Sequence, residues 1–229
     1  MQGILLIDKP KSWTSFDVVN FVRRIVANEL NLKPKNLKVG HIGTLDPLAT
    51  GLLVLLIGKE YTRKAILMSK MDKVYEVEMY LGKVSDSFDS ETETREYNDA
   101  VPSLDQVKKI VSLFEGEISQ LPPAYSALKI NGKRAYNLAR AGVIPELKPR
   151  PVTIYGVSDL RYDYPKLSFK VNVSSGTYIR SLVNDIGLGL STGAYMSELR
   201  RTSIGDYQIE NSISTNNLTA ELIKAHLLA

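Results

Sequence analysis

Apolar residues recur along this chain in two periods, and the switches between them mark its elements. Residues 3–8 are an apolar run closed by Lys9 and Pro10, the pattern of a short buried strand. Thr14 followed by Asp17 predicts a capping box, after which Val18, Phe21, Val22, Ile25 and Val26 recur at helical spacing. That helix fades near Leu30 into a lysine-rich linker over 31–38. Residues 39–51 carry Gly40, His41, Gly43, Asp46 before Pro47, and Gly51. Glycines permit left-handed backbone and a residue before proline is pushed out of the helical region, so the whole segment reads as a shaped loop. Polar residues held between core elements in this way are candidates for a site.

An apolar strand over 52–57 and a short helix over 60–68 come next. Tyr75, Val77, Met79 and Leu81 then alternate with Glu76, Glu78 and Tyr80 as a half-buried strand does. Residues 86–99 are acidic and turn-rich, and are expected to be exposed and mobile. Ser103 with Gln106 predicts a second capping box, opening a helix with Val107, Ile110, Val111 and Phe114 on one stripe. Pro122, Pro123, Gly132 and Gly142 break the pattern over 117–150, which reads as an insertion holding a short helix at 134–140. Strands at 152–159 and 167–173 meet around Pro165. Ile179, Leu182, Val183, Ile186 and Leu190 mark an amphipathic helix, and another is expected near 218–227. Strands and helices alternate irregularly, which predicts an α+β fold around a mixed, mostly antiparallel sheet, as one domain over 1–229.

Charge changes little in this picture: 29 basic against 25 acidic residues permit a nucleic-acid partner without arguing for one. Composition removes several chemistries. With no cysteine there is no disulfide framework, no thiolate nucleophile and no cysteine-ligated metal, and two histidines, His41 and His226, exclude a histidine-rich metal site. The first apolar run meets charge at Asp8 and has no basic flank before it, unlike a signal peptide, and the run over 52–57 is far too short to span a membrane. The expected location is cytoplasmic.

One segment carries a specific resemblance. Gly40-His41-Ile42-Gly43-Thr44-Leu45-Asp46-Pro47-Leu48-Ala49-Thr50-Gly51 resembles the catalytic motif of the tRNA pseudouridine synthase B (TruB) family. Five further stretches agree in order: residues 3–10; Lys73-Val74-Tyr75; residues 120–129 with Gly132 and Tyr136; Gly176-Thr177-Tyr178-Ile179-Arg180-Ser181-Leu182; and Leu199-Arg200-Arg201-Thr202.

That resemblance implies the pseudouridine synthase fold and isomerisation of a flipped-out uridine in the tRNA T-loop, at position 55 of the tRNA. It makes Asp46 the catalytic nucleophile, acting at the sugar C1′ or through a glycal. It implies that Tyr75 stacks on the base, that Arg180 pairs with Asp46, that His41 supports the distorted RNA loop, and that Tyr178 and Leu199 belong to the substrate pocket. Lys9, Lys129, Arg134 and Arg150 are the candidate RNA-backbone contacts, the insertion at about 117–150 being the RNA-binding element. Neither metal nor organic cofactor is implied. The expected partner is the T-arm stem-loop of tRNA, bound by a monomer with no obligate protein partner and no membrane.

The chain departs from the family at Ile42, where threonine, glycine or serine is more usual, and residues 85–90 keep only a loose likeness. Its stop at Ala229 leads to the expectation that no C-terminal PUA domain follows. Two other classes stay open to the sequence: a non-catalytic tRNA chaperone on this fold, and a guide-directed synthase acting on another RNA.

Overall fold

The computed structural model describes residues 1–126, 128–130, 132–143 and 146–229, with the side chains of 129, 130, 133 and 134 outside the description. The N-terminal elements are strand β1 (Gly3–Lys9), helix α1 (Ser15–Glu29), strands β2 (Val39–Ile42) and β3 (Thr50–Ile57), short helices α2 (Lys59–Arg63) and α3 (Ala65–Met68), and strand β4 (Lys73–Leu81). Next come β5 (Lys83–Ser85), β6 (Thr94–Glu96), α4 (Leu104–Ser112), β7 (Gly116–Gln120), β8 (Lys129–Ile130), β9 (Lys133–Arg134) and α5 (Ala135–Arg140). The chain closes with β10 (Arg150–Asp163), β11 (Lys166–Val173), α6 (Ile179–Gly189), β12 (Ala194–Ile204), β13 (Tyr207–Gln208), β14 (Ile213–Ser214) and α7 (Ala220–Ala225).

Two compact units result: Met1–Tyr75 with Leu199–Ala229, and Glu76–Glu198. Strands β4 and β12 each contribute residues to both. In the first unit the strand order is β14-β1-β3-β12-β4, with β2 against β3. Strand β1 runs antiparallel to β3, while β1–β14 and β3–β12 are parallel pairs. Within the second unit the order is β12-β4-β11-β10-β7, in which β10 is antiparallel to both of its neighbours. The sheet is therefore mixed and mostly antiparallel, with helices on its faces, as the irregular alternation of elements predicts.

Why the runs 3–8 and 52–57 are continuously apolar is clear from the first unit, where both strands are buried on two faces. Leu5, Ile7, Leu53, Leu55 and Ile57 pack with Val18, Val22 and Val26 of α1. Ile4, Leu6, Leu52, Val54 and Leu56 pack on the other side with Ile42, Met68 and Ile204. Ile42, the family departure, is thus a core residue, where an apolar side chain is at home. Both predicted capping boxes form, at Thr14 with Asp17 and at Ser103 with Gln106.

Three expectations need correction. Residues 39–42 are a strand, not loop: they pair with β3 from Val39↔Ile57 to Ile42↔Val54, and the glycines disguised that ladder. The predicted helix over 60–68 is divided at Lys64 into α2 and α3. Residues 86–99 are not uniformly exposed either. Ser87 and Asp89 are fully buried, because the Asp89 carboxylate accepts hydrogen bonds from the Ser87 hydroxyl (2.6 Å) and the Glu91 backbone N–H (2.9 Å).

Candidate active site

Asp46 sits half-buried in the turn between β2 and β3, and the backbone around it is fastened on several sides. Ser15, at the start of α1, accepts the Leu45 N–H at 2.8 Å and donates to the Leu45 carbonyl at 2.9 Å. Ser12, held at φ +70°, donates its N–H to the Pro47 carbonyl at 2.8 Å, and the Asp46 carbonyl accepts the Ala49 N–H at 3.1 Å. A non-glycine residue in left-handed backbone is uncommon and clusters at functional sites. The residues on either side of Asp46 are thus held independently of its carboxylate.

Beneath this turn lies a group of buried cations. Lys9 is fully buried and donates to the carbonyls of Pro10 (2.9 Å) and Trp13 (2.6 Å). Burial lowers its pKa to about 8, with Asp46 pulling the other way. Lys73 donates to the carbonyls of Ser69 and Met71, and burial, reinforced by Arg201, lowers its pKa to about 8 as well. Arg201 is fully buried, with Nε on the Leu52 carbonyl (2.8 Å), Nη2 on the Gly43 carbonyl (2.7 Å) and Cζ 6.0 Å from the centre of the Tyr75 ring.

The lysine shifts have a measurable consequence. From pH 8 to about 10.5 the folded chain has released protons that the unfolded chain still holds, so stability from Lys73 is lowest below pH 8 and rises across that window. At roughly 1.4 kcal/mol per pKa unit the rise is about 3 kcal/mol. Urea unfolding of the wild type should show it, and Lys73→Met should flatten it. Equal slopes in the two proteins would contradict the burial of a charged ammonium there.

The first unit also holds Tyr75 and Leu199, 7 % and 8 % exposed, and His41 on β2, half-buried with Nε2 3.1 Å from the Thr44 hydroxyl. Burial, then Arg201, lowers the His41 pKa, which favours the neutral imidazole and a stacking or hydrogen-bonding role over charge pairing. Tyr178 and Arg180 belong to the second unit, at the start of α6. The Tyr178 backbone is held at both polar groups by Gln120, its N–H on Oε1 (2.8 Å) and its carbonyl on Nε2 (3.1 Å). Arg180, 5 % exposed, donates Nη1 to the Ser87 carbonyl (3.1 Å) and Nη2 to the Tyr125 carbonyl (2.8 Å), with Nε 3.5 Å from Asp89 Oδ2.

Among the candidate RNA contacts, Arg150 is exposed at the start of β10. Lys129 and Arg134 face each other in register across β8 and β9, their side chains lying outside the described residues. Lys9 is corrected: its ammonium is turned inward onto the carbonyls of Pro10 and Trp13, in the loop whose Ser12 N–H bonds the Pro47 carbonyl, and not outward toward a phosphate. Sequence reasoning missed Ser12, Ser15, Asp89 and Arg201. For Arg201 a signal existed, since it lies within the Leu199–Thr202 likeness, but an arginine between Arg200 and Thr202 in a polar stretch gives no sign that it is buried.

Two family models match the chain in succession: the TruB family pseudouridylate synthase N-terminal domain over residues 28–179 and the tRNA pseudouridylate synthase B C-terminal domain over 180–228. They define the class as a pseudouridylate synthase. The chain belongs to the TruB family. The tRNA pseudouridine synthase B of Protochlamydia amoebophila is 43% identical over 230 residues, covering 98% of this chain and 84% of that protein. That of Clostridium kluyveri is 43% identical over 229 residues, covering 100% and 76%. Among solved structures, a chain of a Cbf5-Nop10-Gar1 complex superposes with a TM-score of 0.70 at 32% identity, covering 94% of this chain and 53% of the other. This chain spans about half the length of that one.

Proposed function

We propose that the chain isomerises a uridine in the T-loop of tRNA, at position 55, to pseudouridine, with Asp46 as the nucleophile. The observation that carries this reading is an aspartate whose flanking backbone is fastened by Ser12, Ser15 and Arg201, in a chain of the TruB family with Tyr75 buried in the same unit.

The reaction balances without any outside reactant. In the direct route an Asp46 oxygen bonds to C1′ as the N1–C1′ bond breaks, the detached uracil turns, and its C5 bonds to C1′ as the carboxylate leaves. The C5 hydrogen leaves to solvent as a proton, and N1, which kept the electron pair of the broken bond, takes one up. In the glycal route the carboxylate accepts a sugar proton and later returns it. Either route needs an ionised Asp46, and Arg180 is the cation proposed to face it, compensating the penalty that burial places on a carboxylate.

Extruding the base costs a few kcal/mol of lost stacking, least in a hairpin loop, which favours the T-arm as substrate. Tyr75 offers an aromatic face to the uracil and Leu199 an apolar wall. His41 supports the opened loop, while Arg150, Lys129 and Arg134 meet the phosphates.

The test is to incubate the protein with an unmodified T-arm minihelix and map pseudouridine by carbodiimide-dependent reverse-transcription stops. One new stop in the T-loop is expected; no product from folded protein would refute the reading. The likeness to a Cbf5 chain in a multiprotein complex favours guide-directed synthesis as the second reading. That reading predicts no product on the minihelix until a guide RNA and protein partners are supplied.

A further inference from the structure

Arg201 is an expensive residue to keep. Its guanidinium is fully buried, and no carboxylate of a described residue lies within ion-pair reach of it. It disfavours the protonated forms of Lys9, Lys73 and His41, and Tyr75 is the side chain that favours its own charge. A buried charge without a counter-ion costs several kcal/mol, and apolar residues of like volume generally serve stability as well or better. What the guanidinium supplies that an apolar side chain cannot is geometry.

Its two bonded carbonyls belong to Gly43 and Leu52, one on each side of the segment 44–51 that contains Asp46. A single rigid plane therefore closes both ends of that segment. Its Cζ lies 6.0 Å from the Tyr75 ring centre, at the outer range of a cation–π contact. Nη1 has no hydrogen-bond partner, and a Cβ added to Gly43 would come within 2.9 Å of it, on a backbone held at φ +64°. The Tyr75 side chain also interacts electrostatically with the guanidinium, which ties the plane to the ring as well as to the two carbonyls.

We infer that Arg201 is a positioning residue for the reaction proposed above: it sets the Asp46 segment and the Tyr75 ring in one frame without touching the substrate. The inference rests on that reading of function. Lysine cannot substitute, because one flexible ammonium cannot hold two divergent carbonyls and flank a ring with a fixed plane.

The experiment compares wild type, Arg201→Lys and Arg201→Gln for single-turnover rate on the T-arm minihelix, minihelix affinity and urea midpoint. A misplacement of about 1 Å costs on the order of 10²-fold in rate. Arg201→Lys is expected to lose about that much in single-turnover rate, while its affinity stays within about threefold and its fold persists. A rate within about threefold of wild type overturns the inference, as does a fall in rate matched by an equal fall in affinity. Should neither Arg201 variant fold, Gly43→Ala decides, since it keeps the arginine but its methyl, 2.9 Å from Nη1, forces the guanidinium to shift. A rate loss at unchanged affinity supports positioning, and a wild-type rate refutes it. The parallel wild-type reaction separates the two claims. No wild-type product refutes the T-loop reading and the positioning role with it, whereas wild-type product with unimpaired Arg201→Lys refutes positioning alone.

Discussion

Asp46→Asn is expected to lower the single-turnover rate of pseudouridine formation by at least about 10⁴-fold, the scale seen when a nucleophile is removed from a preorganised site. The change is nearly isosteric, and the fastenings of the Asp46 turn involve Leu45, Pro47 and Gly43 rather than the Asp46 carboxylate. Those backbone fastenings remain in the variant, so it should stay folded and unfold cooperatively in urea. Affinity for the minihelix should also persist, because phosphate contacts elsewhere supply most of it. The measurement is a single-turnover time course read by carbodiimide mapping, alongside urea unfolding. Product formed by Asp46→Asn at more than a tenth of the wild-type rate would remove this residue from the chemistry.

The second large effect is on stability. Arg180→Met should destabilise the chain by about 3–5 kcal/mol, the range for removing one partner of a buried ion pair. Asp89 is fully buried, and its Oδ2 has no hydrogen-bond donor and lies 3.5 Å from Arg180 Nε. Without the guanidinium that carboxylate keeps only the Ser87 and Glu91 bonds on Oδ1, and the carbonyls of Ser87 and Tyr125 each lose a donor. Replacing Asp89 by asparagine in the same chain removes the stranded charge, so the double variant should recover part of the loss. Denaturant unfolding of the four proteins gives the coupling. A loss below about 1 kcal/mol for Arg180→Met would contradict a stabilising buried ion pair between Arg180 and Asp89.

How much of this was legible beforehand depended on whether a residue's neighbours in sequence were also its neighbours in space. The runs over 3–8 and 52–57 could be read as strands because both faces are buried, and the caps at Thr14 and Ser103 because their partners stand three residues on. Asp46 was legible through the ordered likeness of its segment to a known family. Strand β2 was not, since Gly40 and His41 weaken the apolar signal and its ladder comes from β3. Nor was the burial of Asp89, whose acidic surroundings look solvated until Arg180, 91 residues further on in the numbering, is brought to it. Ser15 looked like part of a helix start, and its two hydrogen bonds to the Leu45 backbone span 30 residues. Lys9 and Arg201 carry the widest gap between appearance and place. A cation in sequence reads as surface, and only the carbonyls that the fold turns toward it permit otherwise.

The central claim is that the glycosidic bond of one uridine is broken and remade through C5, which must expel the hydrogen of that carbon. Transcribing tRNA with uridine tritiated at C5 and counting tritium released to water measures this step directly. The account predicts release that approaches one equivalent per tRNA with wild-type protein and stays at background with Asp46→Asn. Background release from folded wild-type protein on a tRNA it binds would contradict it.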